Sequence, residues 1–538
     1  MADGTTTRFG ERLIGRLIDQ YAVNDPTRVW ASMPVDNDDL SRGFQDISYR
    51  QFANAINQAT WWLKEQLETN DIQSDTFAYA GPKDLRYPII AVAALKLGKR
   101  LLLCSPFATV AAQNHLLSST KSGVYFHAKE LGPLIRSVVS EDSKMSTIKV
   151  PEQNDWLFGS TAADFPYTKT WEEAYADQWL IFHTSGTTGL PKPIVYTNWM
   201  MGSFDAAHLM PAFYEETMNE QLGRKRFYVS MPTLHFVGMA AALQWTTFLD
   251  MILVISPPTN TTADQIIQTL QQSKARGAVV VPSQITDVLR MPSGLETLRN
   301  LDYIYFAGAP LPKPVAEKLL GHTKIQPAMG TTESGAYFIE IRNEDDWEYY
   351  RFRDGMGIQM VQRTDTLYEL IFKRQSQFAR WQQIFHVHPD LDEFSTKDLW
   401  SMHPTRPNLW RYGGRADDLV NFTHGESLYA TPLEETIQEH PDVRTAIVGG
   451  EGRSRPFVLI EFVDGTPAAK SGSEAKVDAV WPYIERANGR CADVVKLAKQ
   501  RVIFTDPARP LPRTAKDTVL RTSAIALYED QINHLYTA

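Results

Sequence analysis

The sequence is poor in cysteine. It has only two, Cys104 and Cys491, and they lie far apart and outside any CxxC or Cys/His spacing. Neither a disulfide framework nor a structural zinc site is therefore indicated. This composition is typical of a reducing compartment, so we expect a cytoplasmic protein.

Long hydrophobic runs are also missing. Apolar stretches such as residues 89–95 fall far short of the ~20 residues that span a bilayer. The first residues, Met-Ala-Asp-Gly-Thr, lack the apolar centre of a secretory signal. We therefore expect no membrane partner and interpret the apolar runs as buried elements.

Positive charge is scarce as well. The formal net charge is -9 and no basic run occurs, which argues against a nucleic-acid partner because phosphate-backbone binding needs clustered Lys and Arg. Hydrophobic residues make up 43% and charged residues 22% of the sequence, as in ordinary globular proteins. A chain of 538 residues exceeds one compact core, so two or more domains are expected.

Apolar runs bounded by turn residues alternate with amphipathic stretches over residues 46–412, which predicts an α/β fold of strands and crossover helices. The clearest predicted elements are strands at 77–80, 100–104, 278–282 and 303–309, a helix at 87–97, and a helix after 282 that is capped by Ser283. Ligands of such sheets bind beyond the carboxyl ends of the strands, where the loops described below would lie.

The alternation stops near residue 412, and the last ~120 residues suffice for a small domain. We therefore predict a large N-terminal domain of layered sheets and helices over residues 1–414 and a small, mobile α+β C-terminal domain over residues 415–538. The small domain is predicted to hold strands at 445–448 and 457–462 and a helix at 477–491.

A loop of hydroxyl residues and glycines follows the apolar residues 179–182. Residues 183–192 read His-Thr-Ser-Gly-Thr-Thr-Gly-Leu-Pro-Lys, and such a loop presents backbone N–H groups and hydroxyls to a polyphosphate. It is not a Walker loop, because two residues separate Lys192 from the last glycine and a proline follows it. Nucleotide chemistry is the leading hypothesis, and an ordinary flexible turn is the alternative.

Four further segments follow this loop along the chain. They read Gly-Thr-Thr-Glu-Ser-Gly at 330–335, Thr-Lys-Asp-Leu at 396–399, Gly-Arg-Ala-Asp-Asp at 414–418 and Leu-Pro-Arg-Thr-Ala-Lys at 511–516. Together with the loop at 183–192, they resemble the motifs of the adenylate-forming enzymes, the superfamily of acyl-CoA synthetases, luciferases and nonribosomal peptide synthetase (NRPS) adenylation domains.

The resemblance implies a site for ATP and Mg²⁺. The implied phosphate-binding residues are Thr184, Ser185, Gly186, Thr187, Thr188, Gly189 and Lys192. The implied adenine and ribose contacts are Gly308, Ala309, Met329, Gly330, Thr331, Thr332, Asp398 and Arg415. It also implies that Glu333 binds the metal, that Lys516 is the catalytic cation, assisted by Thr188 and Lys192, and that Asp417 is the hinge between domains.

The acyl pocket of the superfamily falls at residues 232–239 of this sequence. Amino-acid-activating domains place an aspartate there, and none occurs over residues 230–249, so an apolar or flat acid, such as an aryl acid, is favoured over an α-amino acid. The expected substrate-contacting residues are His235, Phe236, Val237, Gly238, Met239, Gly308, Gly330 and Gly335. His235 is expected to orient the carboxylate or gate the site; a buried structural histidine is the alternative.

Three departures from the superfamily motifs stand out. Met329 replaces the usual aromatic residue beside adenine, and Lys397 replaces the glycine before Asp398. Gly425, expected beside the pantetheine tunnel, lies in a His-Gly-Glu-Ser stretch that differs from the usual Asn-Gly-Glu-Lys.

Residues 25–31, 47–55 and 396–410 resemble the adenylation domains of fungal NRPS-like carboxylic acid reductases. The resemblance implies transfer of the acyl group to the phosphopantetheine of a carrier domain and later reduction to the aldehyde. We see neither a carrier Leu-Gly-Gly-x-Ser loop nor a Rossmann fingerprint in the sequence, so we expect an adenylation unit whose carrier and reductase partners lie outside this chain. A free-standing aryl- or acyl-CoA ligase and a catalytically inactive nucleotide-binding module are the alternatives.

Overall fold

The structure is a computed structural model. It describes residues 8–106, 108–139, 145–184, 190–210, 217–258, 261–340, 344–364, 366–416, 419–424, 426–489, 491–513 and 519–536. Every helix within those ranges is too short or too polar to cross a bilayer.

Strands of the described residues fall into two groups along the chain. The first group is β1 Val29–Pro34, β2 Phe44–Ser48, β3 Thr76–Ala80, β4 Arg100–Leu103, β5 Val124–His127, β6 Ser146–Lys149, β7 Gln178–Thr184, β8 Lys192–Thr197, β9 Arg226–Val229, β10 Ile252–Val254, β11 Gly277–Val280, β12 Tyr303–Ala307 and β13 Lys324–Ala328. The second group is β14 Gly330–Thr331, β15 Gly335–Ala336, β16 Ile339–Glu340, β17 Tyr349–Phe352, β18 Ile358–Gln362, β19 Tyr368–Lys373, β20 Glu393–Met402, β21 Trp410–Arg415, β22 Leu419–Asn421, β23 Ser427–Tyr429, β24 Val443–Gly449, β25 Phe457–Phe462 and β26 Val502–Phe504.

Helices cover the faces of these sheets. In chain order they are α1 Ile14–Asn24, α2 Tyr49–Thr69, α3 Arg86–Lys96, α4 Val110–Ser119, α5 Gly132–Val138, α6 Gln153–Leu157, α7 Trp171–Ala174, α8 Asn198–Met201, α9 Ser203–Ala206, α10 Met218–Leu222, α11 Phe236–Met239, α12 Thr246–Phe248, α13 Ala263–Gln272, α14 Pro282–Leu289, α15 Gly294–Arg299, α16 Lys313–Ala316, α17 Ile384–Val387, α18 Thr431–Gln438, α19 Pro467–Lys470, α20 Ser473–Asn488, α21 Arg521–Leu527 and α22 Glu529–His534. A π-helical stretch, Ala240–Trp245, joins α11 to α12.

Two largely parallel sheets form the body of the N-terminal part. One has the order β6-β5-β3-β4-β7-β8, and the other has the order β13-β12-β11-β9-β10-β1-β2. Among the described strands of these two sheets, only the pairs β7–β8 and β1–β2 are antiparallel. One continuous core joins the two sheets and includes Leu180 and Phe227. Helix α3 is buried along its whole length, as its nearly unbroken apolar sequence predicts.

A third, six-stranded sheet has the order β16-β17-β21-β20-β19-β18 and is antiparallel throughout. The expectation of strands with crossover helices up to residue 412 is therefore wrong for this stretch. Antiparallel neighbours need only short connections, whereas parallel strands need a crossover. The apolar runs of β19 and β20 carry no signal that distinguishes the two cases.

The predicted N-cap at Ser283 is also wrong. Helix α14 begins at Pro282, and Val281 occupies the N-cap position with an extended backbone. Proline is favoured in the first helical turn because its φ is already helical and its missing N–H would have no partner there. The strand–helix–strand prediction at 77–104 is confirmed by β3, α3 and β4.

The C-terminal part has its own core. Strands β24, β25 and β26 form a three-stranded sheet, and α18 and α20 cover it through buried residues such as Val448, Val458 and Ile484. The predicted α/β fold with a smaller α+β C-terminal part is thus confirmed. The boundary after residue 414 stays a prediction, and β21 continues through Arg415.

Candidate active site

The predicted phosphate loop connects two antiparallel strands. Thr184 at the end of β7 lies opposite Lys192 at the start of β8, and His183 lies opposite Pro193. This pairing holds the flanking hydroxyl and ammonium groups at one end of a hairpin. The predicted loop residues between them, Ser185, Gly186, Thr187, Thr188 and Gly189, lie outside the described residues.

Tyr196 connects this hairpin to the second predicted motif. Its side chain is fully buried, and its hydroxyl donates a 2.7 Å hydrogen bond to the backbone carbonyl of Thr332. Burial raises the Tyr196 pKa well above its usual value, and the Glu333 carboxylate adds to the rise. The phenol therefore stays protonated and remains a donor.

The Gly-Thr-Thr-Glu-Ser-Gly motif forms a tight hairpin. Gly330 and Thr331 in β14 pair with Ala336 and Gly335 in β15. The Thr331 hydroxyl oxygen accepts a 2.9 Å hydrogen bond from the Ser334 backbone N–H. Gly335 has φ +72°, and a Cβ there would lie 2.3 Å from the Gln383 side-chain oxygen. Only glycine fits this position without moving Gln383.

Glu333 lies at the tip of this hairpin with 25% of its side chain exposed. His388 Nε2 lies 3.4 Å from Glu333 Oε2, and the His388 ring stacks on Phe394 at a centroid distance of 5.6 Å. Such a carboxylate fits Mg²⁺, because this ion is commonly held by one or two carboxylates together with phosphate oxygens. Within the described ranges, no group of three His, Cys, Asp or Glu side chains forms a metal cage.

The two predicted adenine segments leave neighbouring strands at the same edge. Strands β12 and β13 are parallel, with Ala307 opposite Ala328, so Gly308 and Met329 follow side by side. Gly308 has φ +91°, which only glycine adopts readily. Met329 packs partly buried against the main core, and its carbonyl accepts a 2.9 Å hydrogen bond from the Tyr337 backbone N–H.

Asp398 and Arg415, predicted to contact ribose, lie opposite each other in β20 and β21. Arg415 Nη1 lies 3.4 Å from Asp398 Oδ1, and Asp398 is only 4% exposed. Burial raises the pKa of the nearby Tyr337, and the charge of Asp398 adds to the rise. The Ser334 hydroxyl donates a 3.3 Å hydrogen bond to the Tyr337 hydroxyl, so the metal and ribose segments meet at Tyr337.

Lys397 has a left-handed backbone, with φ +63°. It lies where β20 changes register with its neighbour β19. This conformation costs a non-glycine residue roughly 1–2 kcal/mol. The left-handed backbone thus explains why the superfamily usually has glycine at this position. Lysine adopts the same conformation here at a cost in strain.

Replacing Lys397 with glycine should therefore stabilise the protein. We expect Lys397→Gly to raise the free energy of unfolding by about 0.5–1 kcal/mol, since relief of the left-handed strain exceeds the added chain entropy of glycine. Urea unfolding measures the difference. Lys373→Gly, in the neighbouring strand β19 with ordinary φ, is the matched control and should lose stability; equal losses in both variants would contradict this reading.

The predicted acyl segment, residues 232–239, includes helix α11 at its carboxyl end. His235 occupies its N-cap position. Phe236 is buried, with its ring centroid 6.0 Å from that of Phe182 and 5.5 Å from that of Tyr196. Met239 is fully buried in the core, whereas Val237 stays partly exposed. At Gly238 a Cβ would lie 2.2 Å from the Pro232 carbonyl oxygen, so this helix packs directly on the preceding turn.

His183 lies immediately before Thr184. Both ring nitrogens are buried and have no hydrogen-bond partner among the described residues. Burial lowers the His183 pKa to about 4. A neutral imidazole therefore lies at the entrance of the phosphate loop at neutral pH.

This buried imidazole should make the protein acid-sensitive. Unfolded His183 binds a proton below its ordinary pKa of 6.5, while the folded form resists protonation down to about 4. Stability is therefore lost as pH falls between these values, by about 2 kcal/mol from about pH 7.5 to about pH 5. Urea unfolding of His183→Gln at both pH values should show a pH dependence smaller by this amount. The exposed His322→Gln variant is the control, and an unchanged pH dependence in His183→Gln would refute the assignment.

Three further predicted residues, Lys516, Asp417 and Gly425, also lie outside the described residues. Sequence reasoning missed Tyr196, Tyr337, Gln383 and His388, which hold the predicted motifs together. Tyr196 could have been found, because strand alternation places it on the same face of β8 as Lys192. The other three give no local signal.

Comparison with known proteins identifies the family. Residues 27–353 match the AMP-binding enzyme family, and residues 417–538 match the AMP-binding enzyme C-terminal domain. The chain therefore belongs to the AMP-binding, adenylate-forming enzymes.

The chain resembles several fungal reductases. It is 30% identical to a carboxylic acid reductase of Neurospora crassa over 98% of this chain and 51% of that protein. It is 24% identical to an adenylate-forming reductase of Aspergillus terreus over 97% of this chain and 50% of that protein. The chain thus spans about half the length of these relatives.

Solved structures share the fold. An anthranilate CoA ligase in complex with anthranoyl-AMP has a TM-score of 0.74 at 15% identity, over 96% of this chain and 97% of that one. ATP-bound MatB from Rhodopseudomonas palustris has a TM-score of 0.72 at 17% identity, over 97% of this chain and all of that one.

Proposed function

We propose that this chain activates a carboxylic acid with ATP, forming an acyl adenylate and releasing pyrophosphate. The observation that carries this proposal is the convergence of four motifs. Tyr196 joins the phosphate hairpin to Thr332. Tyr337 accepts a hydrogen bond from Ser334 of the same turn and lies near enough to Asp398 for its charge to act on the phenol. Gly308, after β12, lies beside Met329, after β13. Segments distant in sequence thus lie next to one another beyond the ends of strands, which is where ligands of such sheets bind.

Each segment has a proposed role. Thr184, Lys192 and the intervening loop bind the phosphates, Gly308, Ala309 and Met329 enclose adenine, and Asp398 and Arg415 bind ribose. Glu333 would hold Mg²⁺, which neutralises phosphate charge when bound. His388 positions the Glu333 carboxylate. His235, Val237 and Gly238 border the acid at the mouth of the acyl segment, with Phe236 and Met239 packed behind them.

The chemical step is a displacement at the α-phosphate. The acid's carboxylate oxygen forms a bond to phosphorus as the bond to pyrophosphate breaks. Negative charge gathers on the phosphoryl oxygens, so a positioned ammonium group lowers the barrier. We assign this role to Lys516 on the proposed mobile domain of residues 415–538, with Asp417 as the hinge.

Lys516→Ala should separate the two half-reactions. We expect adenylate formation, measured by pyrophosphate exchange, to fall by ~10²–10³-fold, the usual cost of one transition-state donor. Reaction of supplied acyl adenylate with a thiol acceptor should change little, because the thiol attacks the acyl carbon and AMP leaves, so no bond to phosphorus forms or breaks. Lys499→Ala, which removes an exposed lysine paired with Asp478, is the control. Equal losses in both half-reactions would reject this division.

The proposed acceptor is the phosphopantetheine thiol of a carrier domain, with a reductase acting on the thioester. Two observations support this: the similarity to fungal carboxylic acid and adenylate-forming reductases, and the fact that each is about twice as long as this chain. Gly425 is proposed to border the pantetheine tunnel.

A free-standing acyl-CoA ligase is the second candidate, favoured by the fold shared with the anthranilate CoA ligase over nearly the full length of both chains. Supplying CoA and a phosphopantetheinylated carrier domain in separate reactions, and measuring thioester by mass spectrometry, distinguishes them. We expect thioester on the carrier and little acyl-CoA. Rapid acyl-CoA formation would favour the ligase, and no acid-dependent pyrophosphate release would leave only the inactive binding module.

A further inference from the structure

A partly buried lysine without a counter-charge lies near the acyl segment. Lys83 follows β3, and its Nζ lies 3.3 Å from Ser256 Oγ and 5.8 Å from the centroid of the Tyr228 ring. No carboxylate lies within ion-pair distance of it among the described residues. Burial lowers the Lys83 pKa to about 8.

The neighbouring groups do not supply the missing charge. The Asp84 carboxylate is engaged by Arg86, with Oδ2 lying 2.7 Å from Nη2. Burial raises the Tyr228 pKa to about 12, so the phenol is neutral. The Ser256 hydroxyl lies 3.0 Å from that of Thr261 and is neutral too. Lys83 is therefore a desolvated cation with neutral neighbours, which an incoming anion would stabilise.

The loop that carries Lys83 is attached to the acyl segment. Thr233, two residues before His235, donates a 3.3 Å hydrogen bond from its hydroxyl to the Asp84 carbonyl. Ser256 lies beyond the carboxyl end of β10, which pairs in parallel with β9. The acyl segment leaves β9. Lys83 therefore lies beside the proposed acid pocket.

The strand order fixes on which side of the acid pocket the lysine lies. From β12, which leads into Gly308, the order is β11, β9 and then β10. Three strand intervals correspond to about 14 Å. The proposed adenine segment and Lys83 thus lie on opposite sides of the acyl segment, so Lys83 faces the end of the acid remote from the nucleotide.

We propose that Lys83 binds a second acidic group at the far end of the substrate, so that the acid is a dicarboxylic acid with an apolar middle. This inference rests on the proposed acid activation. Phe236 and Val237 would border the middle of the acid, and one carboxylate would react at phosphorus. The other would pair with the Lys83 ammonium group, roughly one to two strand intervals away, or about 5–10 Å.

Pyrophosphate exchange with matched acids tests the proposal. The pairs are benzoate with terephthalate, phenylacetate with 1,4-phenylenediacetate, and hexanoate with adipate. The wild-type chain should have the higher kcat/KM for a diacid in at least one pair. Lys83→Met should lower that kcat/KM by ~10–100-fold, mainly through KM, because it removes one charge-assisted pair. The values for monoacids should be retained.

Two variants guard against a purely structural effect. Lys83→Arg should recover part of the diacid activity because it restores the positive charge. Lys129→Met removes an exposed lysine that follows β5, at the same edge of the sheet as Lys83 after β3. This variant should leave kcat/KM unchanged for every acid. Thermal unfolding of each variant checks that the fold is intact.

Each other outcome has a distinct meaning. Equal losses for monoacids and diacids in a folded Lys83→Met, or a wild-type preference for every monoacid, would overturn the proposal. Unchanged exchange with slower transfer to a phosphopantetheinylated carrier would also overturn it, and would assign Lys83 to the phosphate of the acceptor. Absence of exchange with every acid would instead refute the proposed function.

Discussion

The buried hydrogen bond from Tyr196 to the Thr332 carbonyl is the contact on which the candidate site depends. It joins two sheets, because β8 belongs to the sheet of β3–β8 and Thr332 follows the last strand of the other sheet. A buried phenol that lost this acceptor would have an unsatisfied hydroxyl, which costs ~1–3 kcal/mol. The phosphate hairpin and the Glu333 turn are therefore held at a fixed separation.

The second motif is held just as firmly from the other side. Gln383 donates a 2.9 Å hydrogen bond to the Met200 carbonyl and lies directly against Gly335. A side chain at residue 335 would push against this glutamine, so the glycine is a consequence of close packing. Preorganisation of this kind matters for a site that must stabilise developing charge, since groups already in position need no rearrangement during reaction.

Much of the architecture could be predicted because it is written in local patterns. A stretch of about ten residues is enough to predict each of three features: the buried strand β3, the apolar helix α3 and the glycine–hydroxyl loop. The antiparallel sheet of β16–β21 could not be recognised, since pairing direction depends on connections that the apolar pattern does not encode. The prediction of Ser283 as the N-cap of α14 is wrong for a more local reason. Proline is favoured in the first helical turn, so the helix begins at Pro282, one residue before that serine.

The residues that join the predicted motifs were harder to find than the motifs themselves. His388 lies 55 positions from Glu333 in the sequence, and no spacing rule links an imidazole to a carboxylate at that distance. Lys397 could be recognised as a departure from a glycine, but its left-handed backbone became visible only with the register change between β20 and β19.

The order of strands in the parallel sheet also orders the proposed subsites. Because β13, β12, β11, β9 and β10 run in the same direction, their carboxyl ends form one continuous edge. The proposed adenine contacts lie after β13 and β12, the acyl segment lies after β9, and Ser256, which Lys83 contacts, lies after β10. A ligand spanning this edge would contact first the proposed adenine site, then the apolar side chains of the acyl segment, and last the Lys83 ammonium group. The distance along this edge from the acyl segment to Lys83 would therefore set the length of the diacid that the proposed site accepts.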